Sequence, residues 1–337
     1  MLARRVYFDA INQVSLHQDN IQPKANEVLV KTHMSSICGT DKNYLQGYMP
    51  KPKRVMSLST EYDASEEPFP RTVGHEGAGT IVEVGSAVTD FKVGDKVMSF
   101  GVFATMSDYF VAPVTPKGKS ILKVPDGLSM DEAALGEPTA CAIYAGMESG
   151  VRLGDTVLVV GMGFAGQVIA QVAKKMGAKK VIVCDLVDEK LKLAKALGAD
   201  IVVNTATEDA VEVVLAETHG KGVDVAFEVA GNEEAIQICT DSVKHGGILG
   251  FYSWVLHPVN LLIDRWHDDG LEIRTLAVMH RIMHDMEWYQ LNALSNVVNG
   301  NINIKDLMTH TFDLNDAAKA FECAIHEPTA CKVLIRG

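Results

Sequence analysis

A glycine-rich hexapeptide at residues 161–166, Gly-Met-Gly-Phe-Ala-Gly, restricts the possible fold of this chain more than any other feature. The β-branched run at 156–160 predicts a buried strand before it, and the apolar spacing of 167–176 predicts a helix after it. In that context Gly-x-Gly-x-x-Gly is the fingerprint of a dinucleotide-binding unit. The first glycine permits a tight turn, the second lets the backbone approach a pyrophosphate, and the third lets the helix pack on the strand. The alternative is a structural glycine-rich turn in another α/β protein.

The residues after the fingerprint indicate which dinucleotide would bind. Asp185 ends the next predicted strand, about 20 residues beyond the glycines, where a carboxylate can accept both ribose hydroxyls of an adenosine. Its charge would repel a 2′-phosphate and the next two residues, Leu186-Val187, supply no arginine to neutralise one, so the sequence predicts NAD. Lys190 is either a ribose contact or a solvated helix residue, and Lys332 is either a cofactor contact or a surface residue. The candidate cofactor-binding residues are Gly161, Gly163, Phe164, Ala165, Gly166, Asp185 and Lys190.

The order of predicted elements divides the chain into a β-rich part and an alternating part. The first third contains short β-branched or aromatic runs, which predict a small barrel-like domain, at residues 28–32, 77–84, 96–100 and 109–111. From 155 to 276, six predicted strands alternate with helices, the pattern of a doubly wound parallel sheet. Because the tail is short for a separate domain, we expect residues 1–138 and 278–337 to form one domain and residues 139–277 the other.

Composition and charge exclude several classes of function. The formal net charge of −12 argues against a nucleic-acid surface, which requires clustered lysine and arginine. The first residues show no export signal, and the most apolar stretch, 157–173, is interrupted by glycines and glutamines. We therefore expect a cytoplasmic protein that spans no membrane and acts on a small molecule. The six cysteines lie far apart without paired spacing, so we expect reduced thiols rather than disulfides.

Two short motifs in the first domain contain possible metal ligands. They are Cys38-Gly39-Thr40-Asp41 and Gly74-His75-Glu76-Gly77. Thiolate, imidazole and carboxylate are the ligand types of catalytic zinc sites, in which one position stays open for water or substrate. A single buried cysteine or histidine is more often part of a core. The combination with the fingerprint favours a catalytic zinc.

These motifs, together with Gly94-Asp95-Lys96-Val97 and Gly136-Glu137-Pro138, resemble the zinc-containing medium-chain alcohol dehydrogenase family along essentially the whole chain. The resemblance implies an α/β protein with a GroES-like catalytic domain, formed by both chain ends, and a Rossmann NAD-binding domain between them. Ethanol-type members have a cysteine where this chain has Glu137, and the Glu-Pro pair looks like the sorbitol and threonine dehydrogenase branch. The implied metal ligands are Cys38, His75, Glu76 and Glu137, and either glutamate could be the one bound at rest.

Two departures from the family pattern affect these expectations. Residues 98–108 contain no cysteine where many members have a four-cysteine structural zinc lobe, so we expect one catalytic zinc per subunit. The usual proton-relay histidine, five positions after the zinc cysteine, is matched here by Asn43. Thr40 is then the candidate that takes the hydroxyl proton, and the candidate catalytic residues are Thr40, Cys38 and His75. The expected reaction transfers a hydride between NAD and a zinc-bound alcohol.

The segment between the two zinc motifs is longer than is usual in the family and either forms a substrate lid or is a solvated excursion. As a lid it would offer Lys51, Lys53 and Arg54 to the substrate, with Arg281 from the tail as a further candidate. These cations favour a polyol, a sugar alcohol or another small polar hydroxy compound, and the family resemblance implies a homodimer or homotetramer. Two alternatives stay open: a zinc-free quinone or enone reductase of the same superfamily, and a non-catalytic nucleotide-binding protein.

Overall fold

The computed structural model describes residues 1–48, 69–100, 102, 104–115, 118–276 and 286–337. The chain forms two compact units. The first consists of Met1–Pro138, His284–Val298 and Met308–Gly337, and the second consists of Thr139–Met283 and Asn299–Leu307. The sequence analysis expected residues 278–337 to join the first domain, but Asn299–Leu307 belongs to the second unit. The reason is a reciprocal amide contact within the second unit, in which Gln171 Nε2 donates to the Asn303 carbonyl at 3.0 Å and Asn303 N–H donates to Gln171 Oε1 at 2.7 Å.

The first unit contains most of the strands and short helices. Its strands are β1 (Leu2–Ala10), β2 (Gln13–Asn20), β3 (Glu27–Ser36), β4 (Arg71–Thr72), β5 (Glu76–Val84), β6 (Lys96–Ser99), β7 (Tyr109–Thr115), β8 (Gly118–Lys119), β9 (Ile121–Lys123), β16 (Met308–Asp313) and β17 (Lys332–Arg336). Its helices are α1 (Gly39–Leu45), α2 (Met130–Ala134), the start of α3 (Gly136–Glu148), α9 (Met286–Val298) and α10 (Ala317–His326). Short 3-10 turns flank β16: Lys305–Leu307, which belongs to the second unit, precedes it, and Leu314–Asp316 follows it.

Strand β3 is the centre of the larger sheet in this unit. It pairs antiparallel with β5 on one side and with β7 and β17 on the other. Its apolar residues Val28 and Val30 are fully buried against Ile81 of β5 and Phe110 of β7. Because β17 comes from the end of the chain, both chain ends build this sheet. A smaller sheet has the order β2-β1-β4.

The second unit is a doubly wound parallel sheet. Its strands are β10 (Thr156–Val160), β11 (Lys180–Asp185), β12 (Ile201–Asn204), β13 (Val223–Glu228), β14 (Val243–Phe251) and β15 (Glu272–Thr275). Its helices are the remainder of α3, α4 (Phe164–Lys175), α5 (Asp188–Ala196), α6 (Ala210–Glu217), α7 (Glu233–Ser242) and α8 (Asp264–Asp268). The sheet order is β12-β11-β10-β13-β14-β15 and every neighbouring pair is parallel. The predicted fold class is confirmed, including the six strands of the alternating part.

Two further observations concern the chain as a whole. In the ranges that the structure describes, every helix is too short or too polar to cross a lipid bilayer. The six cysteines all lie in the described residues and form no disulfide there.

Candidate zinc and cofactor sites

Cys38, His75 and Glu76 lie together because β3 and β5 are paired strands. The register places Ser36, at the end of β3, opposite Glu76, at the start of β5. Cys38 follows β3 as the N-cap of α1, and His75 directly precedes β5. One ligand atom from each of the three side chains lies within 4.8 Å of the other two. A thiol, an imidazole and a carboxylate at this spacing can hold one metal ion.

Asp41 orients two of these ligands. Its Oδ2 accepts the Cys38 backbone N–H at 2.9 Å, and its Oδ1 lies 3.4 Å from His75 Nδ1. A carboxylate on Nδ1 fixes the tautomer of a ligating histidine and leaves Nε2 for the metal. The sequence analysis quoted Asp41 within a motif without giving it a role. The signal was present, because Cys-x-x-Asp at the start of a helix is a capping box in which the Asp side chain turns back to the N-cap.

The charges around the three side chains favour a cation. Burial alone would lower the pKa of His75, but the nearby Asp41 and Cys38 raise it well above its usual value. Burial raises the pKa of the Cys38 thiol, as does the Glu76 carboxylate, against the opposing effects of His75 and Lys332. Metal coordination reverses the balance at the thiol, since a coordinating thiol is deprotonated outright.

Glu76 is fully buried and its two oxygens have different surroundings. Oε2 accepts hydrogen bonds from Lys332 Nζ at 2.6 Å and from Ser36 Oγ. Oε1 is buried with no hydrogen-bond partner among the described residues. A buried carboxylate oxygen without a partner is costly unless something binds it. This oxygen, with the adjacent thiol and imidazole, fits a zinc site in which one position stays open.

Lys332 is not the surface residue that its sequence position allowed. Its side chain is only 6% exposed, and its ammonium group binds Glu76. A contact between Lys332 and the cofactor stays a prediction. Lys332 and Glu76 are 256 positions apart. Their proximity follows from the pairing of β17 with β3 and of β3 with β5, which no local pattern reveals.

Glu137 and Thr40 lie on the two helices that begin near these strands. Glu137 is in the first turn of α3, is 8% exposed, and lies near enough to Lys332 to raise the pKa of that lysine. It is not among the three residues whose ligand atoms meet. Thr40 and Asn43 are half-buried residues of α1. The metal role of Glu137 and the proton-transfer role of Thr40 stay predictions.

The glycine-rich turn has the conformation that its sequence requires. Gly161 has φ +102°, and a Cβ on Gly166 would lie 1.9 Å from the Gly161 carbonyl oxygen, so only glycine fits. Gly163 is the N-cap of α4, and no heavy atom of the described residues would lie within 4 Å of a Cβ there. Phe164 and Ala165 form the first turn of α4, and the N-terminus of a helix is the kind of place that binds a phosphate.

Asp185 ends β11 beside this turn. Its Oδ2 accepts the Met162 N–H at 2.7 Å and its Oδ1 accepts the Val187 N–H at 3.0 Å. An ionised carboxylate has about four acceptor positions, so two ribose hydroxyls can still bind. Lys190 lies in the first turn of α5, where its carbonyl oxygen accepts Gln167 Nε2 of α4 at 2.8 Å. The ribose contacts of both residues stay predictions.

The candidate substrate contacts Lys51, Lys53, Arg54 and Arg281 all lie outside the described residues. Their roles stay predictions.

The β-rich unit with clustered zinc ligands and the separate parallel sheet with a glycine-rich turn define a two-domain, zinc-type dehydrogenase. Comparison with known families agrees with this class. Residues 24–126 match the profile described as an alcohol dehydrogenase GroES-like domain, and residues 165–296 match the profile described as a zinc-binding dehydrogenase. The chain belongs to the zinc-type medium-chain alcohol dehydrogenase family, and it is an oxidoreductase of that family.

Individual relatives span nearly the whole chain. Sorbitol dehydrogenase of Bacillus subtilis (strain 168) is 30% identical over 92% of this chain and 90% of the relative. L-threonine 3-dehydrogenase of Marinomonas sp. (strain MWYL1) is 28% identical over 88% of each. Among solved structures, 2R,3R-butanediol dehydrogenase from Bacillus subtilis superposes with a TM-score of 0.82 at 25% identity, covering 99% of each chain.

Proposed function

We propose that this chain uses one catalytic zinc per subunit and NAD to interconvert a secondary alcohol and its ketone, with a polyol or another small polar hydroxy compound as substrate. The observation that carries the proposal is the cluster of Cys38, His75 and Glu76, in which Oε1 of the buried Glu76 has no partner among the described residues. A zinc-free quinone or enone reductase has no use for this ligand set. The cluster also argues against a non-catalytic nucleotide-binding protein.

The residues around the zinc site carry an excess of negative charge that a cation would offset. Cys38 as thiolate, Glu76, Glu137 and the buried Asp41 supply four negative charges, and His75 is neutral as a ligand. Because Lys332 supplies one positive charge, a zinc ion would reduce the net charge of this buried group from −3 to −1. The reduction matters because an uncompensated buried charge is strongly destabilising. When bound, zinc supplies Lewis acidity that lowers the pKa of an alcohol.

Residues of the chain itself orient the ligands, accept the proton and bind the cofactor. Asp41 holds the His75 ring, and Lys332 with Ser36 holds one oxygen of Glu76. Thr40, two residues after Cys38, is the proposed acceptor of the hydroxyl proton. In the second unit, the N-terminus of α4 would bind the pyrophosphate and Asp185 the adenosine ribose, which favours NAD over NADP.

The names of the relatives support the substrate class. Sorbitol, threonine and butanediol each have a secondary hydroxyl next to a carbon that carries another polar group. We therefore propose a substrate with adjacent polar groups rather than a simple aliphatic alcohol. In this proposal Lys51, Lys53, Arg54 and Arg281 contact the further hydroxyl or anionic groups.

Assembly and location belong to the same proposal. We propose a homodimer or homotetramer, supported by membership of the family, and sedimentation of the purified protein would measure the number of subunits. A cytoplasmic location is supported by the six cysteines, which form no disulfide in the described residues, as is typical of proteins in reducing compartments.

The test is an NAD reduction assay with zinc-loaded protein across sorbitol, xylitol, 2,3-butanediol, threonine and ethanol. We expect turnover of at least one compound with adjacent polar groups, and loss of turnover after chelation that returns when zinc is restored. Quinone reduction by chelated protein, without any alcohol oxidation, would support the zinc-free alternative instead.

A further inference from the structure

In the sheet of the second unit, the order in which strands are added reverses between β10 and β13. The turns that follow these two strands are in contact. Strands β10 and β13 are neighbours, and β11 and β12 lie on the other side of β10. The glycine-rich turn follows β10, and residues 229–231 follow β13. A Cβ on Gly161 would lie 2.9 Å from the Ala230 nitrogen, so the two turns are in contact. In a sheet of this order, a dinucleotide binds across this crevice, with one half on each side.

Glu228, the last residue of β13, anchors the second of these turns. It is fully buried, and its Oε1 accepts the backbone N–H groups of Ala230 at 2.8 Å and Gly231 at 2.6 Å. Gly231 has φ +81°, a conformation that the two hydrogen bonds help to hold. The turn after β13 is therefore fixed by one carboxylate oxygen.

The other oxygen of Glu228 extends the anchor to the next strand. Oε2 accepts a hydrogen bond from Ser253 Oγ, in the segment after β14. The Tyr252 N–H in the same segment donates to the Glu228 carbonyl at 3.0 Å. One side chain thus joins the segments that follow β13 and β14.

Burying an ionised carboxylate to close a turn has a high desolvation cost. Burial raises the pKa of Glu228, against the three hydrogen bonds that lower it. All its side-chain partners among the described residues are N–H or O–H groups, so no cation offsets its desolvation. An apolar residue would be sufficient to pack this position. The buried carboxylate therefore suggests that the placement of these segments matters to function.

We propose that Glu228 is a positioning residue for the nicotinamide half of the cofactor, because it fixes the segments after β13 and β14 that lie beyond Gly161 in the crevice. The adenosine half lies on the other side of the switch point, at the ends of β10 and β11, where Asp185 is. This inference rests on the proposed use of NAD. Loss of the hydrogen bonds made by Glu228 weakens binding of the nicotinamide half and leaves binding of the adenosine half unchanged.

The test compares NADH with ADP-ribose, which lacks the nicotinamide ring, as ligands of the full-length protein in calorimetric titrations. The variants are Glu228→Gln, which removes the charge with little change of shape, and Ser253→Ala, which removes only the tie to the segment after β14. The matched control is Asp224→Asn. Asp224 lies at the opposite end of the same strand, where it accepts the Thr156 N–H at 2.7 Å, far from the carboxyl ends of the strands.

We expect Glu228→Gln to raise the dissociation constant of NADH about tenfold, the equivalent of one charge-assisted hydrogen bond, and to leave that of ADP-ribose unchanged. Ser253→Ala should shift NADH binding in the same direction by less. Asp224→Asn should lower the melting temperature without changing the ratio of the two affinities.

Two results would overturn the proposal. One is equal weakening of both ligands in Glu228→Gln, and the other is unchanged NADH affinity in a folded Glu228→Gln or Ser253→Ala variant. If Glu228→Gln does not fold, unchanged NADH binding by Ser253→Ala is sufficient to reject it. Failure of the proposed function is a different observation, namely that the unchanged protein binds neither ligand, and that result removes this proposal as well.

Discussion

Replacing Lys332 with methionine should make the protein bind zinc more tightly. In the metal-free protein the substitution leaves the buried Glu76 carboxylate without its cation, and breaking a buried ion pair in this way costs about 3–5 kcal/mol of folding stability. Zinc on Glu76 would restore much of this loss, because it supplies the missing positive charge. Any stability that returns on loading must be matched by an equal gain in zinc affinity.

The magnitude follows from the geometry of the pair. Lys332 Nζ is 2.6 Å from Glu76 Oε2. A metal on Oε1 of the same carboxylate would lie within about 7 Å of that ammonium group, given zinc–oxygen distances of about 2 Å. At an effective dielectric constant of about 20, repulsion between a divalent and a monovalent cation at that separation is on the order of 5 kcal/mol. The substitution also removes one hydrogen bond that positions Glu76, which should reduce the free energy of zinc binding by about 1.5–3 kcal/mol, the value of one hydrogen bond to a charged group. The repulsion is the larger effect, so removing the lysine should increase affinity by about tenfold or more.

The assay is competition for zinc between the protein and a chromophoric chelator, with melting temperatures measured for metal-free and zinc-loaded protein. Lys332→Arg keeps the charge and should bind zinc nearly as the unchanged protein does. Ser36→Ala removes the other hydrogen bond to Oε2 without relieving any repulsion, so it should bind zinc more weakly, by about tenfold. The reasoning is refuted if Lys332→Met binds zinc more weakly, or if the metal-free and loaded forms lose the same stability.

Three other variants test separate parts of the account. Cys38→Ser should abolish turnover while leaving a folded protein that binds NADH, because the glycine-rich turn belongs to the other unit; loss of NADH binding in a folded variant would contradict this. NADP should be worse than NAD by roughly two orders of magnitude in kcat/KM, and Asp185→Ser should narrow that gap, whereas equal values for the unchanged protein would remove Asp185 as the determinant. Because Asp185 also holds the Met162 N–H, this variant should weaken NAD binding itself. Replacing Lys51, Lys53 and Arg54 together with alanine should raise KM for the substrate and leave NAD affinity unchanged, and unaltered kinetics would assign that segment to the surface.

Local patterns were sufficient to predict the second unit. Strand β10 is a continuous buried run followed at once by the glycine-rich turn, and each helix that follows has an apolar face and a recognisable end. The parallel order then follows from the alternation of strands and helices. The strands of the first unit were harder to predict, since β2 has only two apolar residues, Val14 and Leu16, and no fully buried position.

The residues of the candidate site also differ in whether the sequence could predict them. Cys38, His75 and Glu76 could be found because each belongs to a short motif whose residue types are zinc ligands. The partner of Glu76 could not, because Lys332 reaches it through the pairing of three strands from distant parts of the chain. The anchoring role of Glu228 was hidden for a similar reason, since a glutamate at the end of a strand shows no sign in the sequence of being buried.

The central claim is that Cys38, His75 and Glu76 hold a catalytic zinc, and titration of metal-free protein with zinc tests it most directly. Bound zinc and NAD-dependent alcohol oxidation should be measured on the same samples. The account predicts that activity rises in proportion to zinc and stops rising at one zinc per chain. Full activity in protein that contains no zinc would contradict the claim, and activity that requires two zinc ions per chain would contradict the single site.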